Sequence, residues 1–201
     1  MRIIEREFYN RNTVDVAKDL LGKILVRKVN GKALSGTIVE TEAYRSIDDP
    51  ASHSFRGMTE RNSVMFGEVG RAYVYFTYGN HYCLNIVAKE SATPAGAVLI
   101  RAIEPVDGIS LMHRYRKTHD LYNVASGPGK LTQALKITKK SNGLDVTRKG
   151  ELYVVNGNDV SASHIVATSR IGIRVALDKH WRFLVANNDF VSKKVRGTNP
   201  S

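Results

Sequence analysis

A chain of 201 residues with 42% hydrophobic and 24% charged side chains is long enough for one well-buried domain and short for two, and its balance excludes a disordered or collagen-like chain. Thirty Lys and Arg against 19 Asp and Glu leave a net charge of +11, which makes a polyanion, nucleic acid first, the expected partner. The lone cysteine, Cys83, excludes an intramolecular disulfide and a Cys-based zinc framework. No apolar run approaches the ~20 residues of a membrane span, and the N-terminus lacks a signal-peptide core, so a soluble, cytoplasmic protein with no membrane partner is expected.

Val14, Ala17, Leu20 and Leu21 are spaced to bury one face of a helix that Asn12 or Thr13 caps and Gly22 ends. Ile24 to Val29 reads as a strand, Asn30-Gly31 as a two-residue hairpin turn and Gly36 to Tyr44 as the return strand. Alternate side chains of a strand share a face. Glu40, Glu42 and Tyr44 are therefore expected to point one way and Val39, Thr41 and Ala43 the other, with same-face neighbours roughly 6.6 Å apart. From Arg45 to Val69 periodicity vanishes, and Asp48, Asp49, Pro50, Gly57, Asn62 and Gly67 mark a long irregular loop that carries His53, Arg56 and Arg61. Such a loop is either plainly solvated or folded over whatever the acidic face handles.

Tyr73 to Tyr78 are strong strand formers, Gly79-Asn80 supplies a two-residue turn, and His81 to Val87 returns with Cys83 buried inside it. This places Tyr78 and His81 at a hairpin tip. A Tyr-rich hairpin packed on a core accounts for Tyr73 and Tyr75, whereas an aromatic ring at the tip suits a wedge between base steps. The apolar run Ala97-Val98-Leu99-Ile100 meets Arg101, whose guanidinium needs a partner, with Glu104 the nearby acid, or a polar cavity to face. Pro105 is expected to open a helix through Met112. His113 to His119, with Arg114, Arg116 and Lys117, is a basic segment that either contacts phosphate or is merely solvated. Ser126-Gly127-Pro128-Gly129-Lys130 reads as a capped helix start and lacks the spacing of a Walker-type loop. Short strands are expected near Leu152 to Val155, Ile165 to Ala167, Ile171 to Ala176 and Trp181 to Val185. From about residue 190 a mobile basic tail is expected. With no repeat and no linker, residues 1–201 form a single domain.

The chemistry follows by elimination. Six scattered His with no HExxH and no paired Cys give no metal site, and there is neither a GxSxG elbow nor a dinucleotide fingerprint, so no cofactor is expected. What remains is a carboxylate, aromatic rings, a buried-looking Arg and a basic envelope. That set suits hydrolysis at a sugar carbon bonded to a base: the sugar becomes oxocarbenium-like as the bond breaks, and one carboxylate can both stabilise that charge and deprotonate the attacking water. The target carbon is hidden in a duplex, so the nucleotide has to rotate out into a pocket where rings such as Tyr44 and Tyr75 stack on the base while Tyr78 fills the gap. On residue types alone Glu40 and Glu42 are equal candidates for the base. A non-catalytic nucleic-acid-binding module would use the same basic surface and hairpin, and a glycosidase of free nucleosides would leave the charge and Tyr78 unused.

These residues also form a familiar set. Ile38-Val39-Glu40-Thr41-Glu42-Ala43-Tyr44, His53, Arg61-Asn62, Tyr75 with Tyr78-Gly79 and Asn85, Leu99 through Pro105, and Ser126-Gly127-Pro128 with Lys130-Leu131 together resemble the alkyladenine (3-methyladenine) DNA glycosylase family, in order and over nearly the whole chain. The resemblance implies a monofunctional base-excision repair enzyme on a compact α+β fold, with a curved, largely antiparallel sheet flanked by helices and a protruding hairpin. By the same resemblance Glu42 is the water-activating base and Arg101 helps to hold the water. Tyr44 lies on one side of the flipped base, and His53 and Tyr75 on the other. Asn85 rejects guanine by crowding its 2-amino group, Tyr78 intercalates, and the backbone at Ile171-Gly172 touches the water. The implied partner is double-stranded DNA containing damaged purines (3-methyladenine, 7-methylguanine, hypoxanthine or ethenoadenine), bound by a monomer.

Overall fold

In the computed structural model the described residues are 1–77 and 79–194; Tyr78 and the last stretch of the basic tail, 195–201, lie outside them. Among the described residues eight strands form one antiparallel sheet that curls into a half-barrel, with a few helices packed on it. Its organising strand is β2 (Lys32–Arg45). One edge of β2 pairs along its length with β5 (Gly96–Asp107). The other edge is shared between β1 (Ile24–Val29) at its start and β8 (Arg182–Val185) at Glu40 to Glu42. Beyond β5 lie β4 (His81–Val87) and β3 (Ala72–Thr77); beyond β1 lies β6 (Leu152–Val155), and β7 (Ile165–Thr168) pairs with β8.

Local chemistry explains the elements. Asn30 and Gly31 both take positive φ, 49° and 75°, the backbone of the tight turn that joins β1 to β2 with Val29 opposite Lys32. Helix α1 (Thr13–Asp19) is capped by Asn12, whose side chain accepts the Val14 N–H at 3.0 Å. Thr13 does not cap; its hydroxyl donates to the Ala88 carbonyl at 2.9 Å. The apolar side of α1 reaches the main core through Val16, Ala17, Leu20 and Leu21. Each fully buried leucine there contributes about 1.5–3 kcal/mol.

Several elements differ from expectation, each for a physical reason. Pro105 opens no helix. It stays inside β5, where the register shifts between Ser35 and Gly36, the kind of bulged stretch that tolerates a residue without an N–H; the next helix after the single-turn α2 (Ser63–Phe66) is α3, which runs Ile109–Arg116. The aromatic hairpin does not turn on two residues either. Thr77 pairs with His81, so three residues connect β3 to β4. That odd number sets the parity: Tyr75 pairs with Cys83 and Tyr73 with Asn85, which puts all four side chains on one face, whereas a two-residue turn would have split Tyr75 from Asn85. Along β2 the alternation breaks at a pair of compensating bulges, because the register skips Val39 on β2 and then Arg101 on β5. Val39 thus leaves the face of Thr41 and Ala43 and packs with Ala102, Leu184 and Val191. The segment Ile171 to Ala176 makes no strand; Gly172 and Ala176 sit at φ 83° and 53°. The start of the tail is anchored, with Val191 buried and the Ser192 hydroxyl donating to Glu40 at 2.8 Å.

Candidate active site

The registers place residues far apart in sequence in one transverse row. Tyr73 pairs with Asn85, Asn85 with Leu99, and Leu99 with Glu42. At ~4.8 Å between strands this row brings an aromatic ring, an amide and a carboxylate within roughly 14 Å across the concave face. Tyr44, His53, Tyr75, Asn85 and Arg101 all line one cleft there, of about 390 Å³, within the roughly 300–1,000 Å³ of small-ligand clefts.

Glu42 lies just behind this surface, its side chain 0% exposed, and touches three residues that line it. Oε1 accepts the backbone N–H of Ile171 at 2.7 Å, Oε2 accepts the Tyr44 hydroxyl at 2.8 Å, and Arg101 Nη1 lies 3.2 Å from Oε2. A carboxylate oxygen has two acceptor directions, so Oε1 keeps one for a further donor. Burial, reinforced by the Glu42 charge and the hydrogen bond to it, holds the Tyr44 hydroxyl well above the usual phenol range; Tyr44 therefore stays a donor at neutral pH.

Glu40 occupies a different environment. Its Oε1 accepts from Arg101 Nε at 2.9 Å, Arg182 Nε at 2.7 Å and the Ser192 hydroxyl at 2.8 Å, and its Oε2 accepts the Ser192 N–H at 2.5 Å. Of the residues that hold it, Arg182 and Ser192 lie outside the cleft lining and only Arg101 belongs to it. Arg101 joins the two acids, which is possible because it is the bulged residue of β5 and so stands out of register toward both. Burial opposes its charge, but Glu42 and Glu40 outweigh that and raise its pKa. Glu104, the partner suggested by sequence proximity, instead accepts from Asn188 at 3.0 Å.

On the opposite wall His53, Tyr73 and Tyr75 form an aromatic group. The His53 ring meets Tyr75 edge-on at 4.6 Å, its Nδ1 lies 3.1 Å from the Tyr73 hydroxyl, and Tyr73 and Tyr75 pack at 5.3 Å. The loop bearing His53 is not slack, because Asn62 donates to the carbonyls of His53 and Gly57 and accepts from the Thr59 N–H. Burial pushes the Tyr73 hydroxyl up to about 12 and raises Tyr75 further. His53 is exposed at the rim on one side, yet desolvation of its packed side, helped by the Arg61 charge, lowers its pKa below the ordinary 6.5. A depressed histidine favours the neutral ring in the folded state; its stabilising contribution is present above 6.5 and is lost as pH falls through the folded value. An NMR titration of the His53 ring protons should accordingly give a midpoint below 6.5.

Asn85 is fixed by donating to the Tyr73 carbonyl at 3.1 Å. Helix α4 (Pro128–Ala134) begins at Gly127 without a side-chain cap, and closes the cleft mouth with Pro128. Gly129 permits that approach, since a Cβ there would lie 2.7 Å from the His81 ring. Among the described residues no group of three or more His, Cys, Asp or Glu could hold a metal ion, and no helix is long and apolar enough to cross a membrane.

Sequence reasoning missed Asp49, Arg170 and Arg182. Arg170 meets Asp49 through two bonds of 2.6 Å, and both side chains are 0% exposed. A charged residue inside an irregular stretch looks like a surface residue; the sole hint was Arg170 directly before Ile171-Gly172.

A cleft with aromatic walls beside a fixed carboxylate, on the half-barrel of a basic chain, has the room for a flat ring and the chemistry of a hydrolase. Residues 7–189 match the family model described as "Methylpurine-DNA glycosylase (MPG)". A protein of Carboxydothermus hydrogenoformans is 51% identical over 96% of this chain and 100% of its own length, one of Methanocella arvoryzae is 48% identical over 98% and 99%, and one of Francisella tularensis is 48% identical over 90% and 94%. Each is named "Putative 3-methyladenine DNA glycosylase". The chain belongs to the methylpurine-DNA glycosylase family, and so to the hydrolases of base-excision repair.

Proposed function

We propose that this protein rotates an alkylated purine nucleotide out of double-stranded DNA and hydrolyses its N-glycosidic bond with a water activated by Glu42. The observation that carries this reading is the Glu42 carboxylate, held from three sides just behind the wall of an aromatic cleft with one acceptor direction of Oε1 left over. The C1′–N bond breaks and its electron pair leaves with the base. The oxocarbenium charge that develops on the sugar faces Glu42, and a water oriented by Arg101 adds to C1′ while Glu42 takes its proton. The products are a free purine and an abasic site.

Tyr44 forms one wall against the flipped base, with His53 and Tyr75 opposite. In this reading Tyr78, which follows Thr77 in the sequence, fills the place the nucleotide leaves. A single carboxylate suits cationic leaving groups such as 3-methyladenine and 7-methylguanine, which depart without protonation; hypoxanthine and ethenoadenine require more help at the ring. One lesion needs one cleft, so the working unit is a monomer. Duplex oligonucleotides carrying single lesions, incubated with the protein and then treated with alkali, should be cut at the lesion. Salt-sensitive binding without an alkali-labile product would return the protein to the class of nucleic-acid-binding modules.

Asn85 is the discriminating wall. Asn85→Ala removes the amide that would crowd a 2-amino group, and it should raise the excision of 2-amino purines relative to purines lacking that group by roughly 10–200-fold, the range for one small group in a pocket. Competition between paired substrates in one reaction reads the ratio directly.

A further inference from the structure

The Asp49–Arg170 pair lies outside the cleft lining, yet it reaches two of the three groups that hold Glu42, the Tyr44 ring and the Ile171 segment. Arg170 Nη1 donates to Asp49 Oδ2 at 2.6 Å and to the Ala43 carbonyl at 2.9 Å, while Nη2 donates to Asp49 Oδ1 at 2.6 Å. Ala43 stands between Glu42 and Tyr44 on β2, and Ile171, next to Arg170, supplies the N–H that Glu42 accepts. The guanidinium packs on the Tyr44 ring at 4.7 Å and on the Trp181 ring at 5.4 Å. Asp49 in turn ties down the start of the His53 loop by accepting the Arg45 and Ala51 N–H groups at 3.2 and 3.3 Å. A fully buried ion pair is a poor source of net stability, and this one leaves Arg170 Nε buried with no hydrogen-bond partner among the described residues. What it does supply is geometry at four points of the site.

We infer that Asp49 and Arg170 are positioning residues for base release: together they fix the Tyr44 ring, the Ile171 N–H and the root of the His53 loop in the arrangement Glu42 requires. The inference rests on Glu42 driving hydrolysis, and it extends that reading to a pair with no contact to the substrate. Arg170→Lys retains the charge but loses the two-pronged bond and the planar stack; Asp49→Asn retains the shape but loses the charge.

The test is base release under single-turnover conditions at saturating protein, counted per active molecule by titration with a duplex carrying a stable abasic analogue. Each variant should release base roughly 10–100-fold more slowly, the scale of a misplacement of about 1 Å, while affinity for the analogue stays within about threefold. The double variant should be about as slow as the slower single one, because both remove the same bond. Trp181 is the sole tryptophan, and its emission should change in the Arg170 variant. Asp145→Asn, which breaks the Arg6–Asp145 pair of 2.7 Å away from the cleft lining, should lower stability and leave base release per active molecule unchanged. If Asp49→Asn is too unstable to titrate, Arg170→Lys and Asp49→Glu carry the test, since both keep the charges and break the geometry. Release within twofold of the unaltered protein in these variants overturns the inference. An unaltered protein that releases no base from any lesion overturns the functional reading instead.

Discussion

Glu42→Gln should abolish base release, by roughly 10³-fold or more, and leave affinity for lesion-containing duplex within about threefold. The amide has the size and planarity of the carboxylate, so its oxygen can still accept the Ile171 N–H, and Arg101 keeps its bond to Glu40. The fold should therefore survive with a stability change within about 2 kcal/mol. Catalysis should not survive, because an amide neither accepts the proton of the attacking water nor carries negative charge toward an oxocarbenium sugar; a positioned base alone is worth about 10²–10⁴-fold. Single-turnover excision on a 3-methyladenine or 7-methylguanine duplex, with binding measured beside it on the stable abasic analogue, separates the two effects. Excision at the unaltered rate would remove Glu42 from the mechanism. A parallel loss of binding and excision would instead mean that the amide had disturbed Tyr44 or Arg101.

Much of this site was legible before the structure. The strand through Glu42 and Tyr44 followed from β-formers downstream of Asn30-Gly31, and the loop with His53 and the Tyr-rich hairpin followed from turn residues and their spacing. What sequence periodicity could not supply was register. Two glutamates on one strand face look equivalent until the bulges at Val39 and Arg101 are known, because each bulge shifts parity by one residue and together they aim a single guanidinium at both acids. The same holds for the hairpin. Gly79-Asn80 reads as a two-residue turn, and the three-residue connection actually present decides whether Tyr75 and Asn85 share a cleft. Helix α3 was misplaced because Pro105 was read as a first helical residue, when a strand position beside a bulge suits it equally. Arg170 and Arg182 left no periodic signature at all; their meaning comes from Asp49 and Glu40, more than a hundred positions away in the chain.

Glu40→Gln should produce the opposite phenotype to Glu42→Gln: failure of the fold before any failure of chemistry. Glu40 is fully buried and balances Arg101 and Arg182, themselves almost wholly buried. Removing one member of such a group leaves an uncompensated cation inside the protein, at a cost of about 3–5 kcal/mol. Against the ~5–15 kcal/mol that holds a domain together, and with about 2–4 °C per kcal/mol at this chain length, the melting temperature should fall by roughly 6–20 °C. The pH dependence follows from the same contacts. Burial alone would raise the Glu40 pKa, but the charges of Arg101 and Arg182 and the Ser192 N–H outweigh it and hold it below the ordinary 4.5. A depressed carboxylate contributes stability that is present above 4.5 and is lost as pH falls through the folded value. Unfolding curves of the parent and Glu40→Gln should thus lie well apart at neutral pH and converge on acidification. Arg182→Met in the Glu40→Gln background removes the stranded cation and should recover part of the loss, a coupling that a double-mutant cycle measures. If Glu40→Gln melts within about 2 °C of the parent at pH 7, the buried charge group is not what secures β8 and residues 190–194 to β2, and the difference between the two glutamates would then have to arise from the cleft alone.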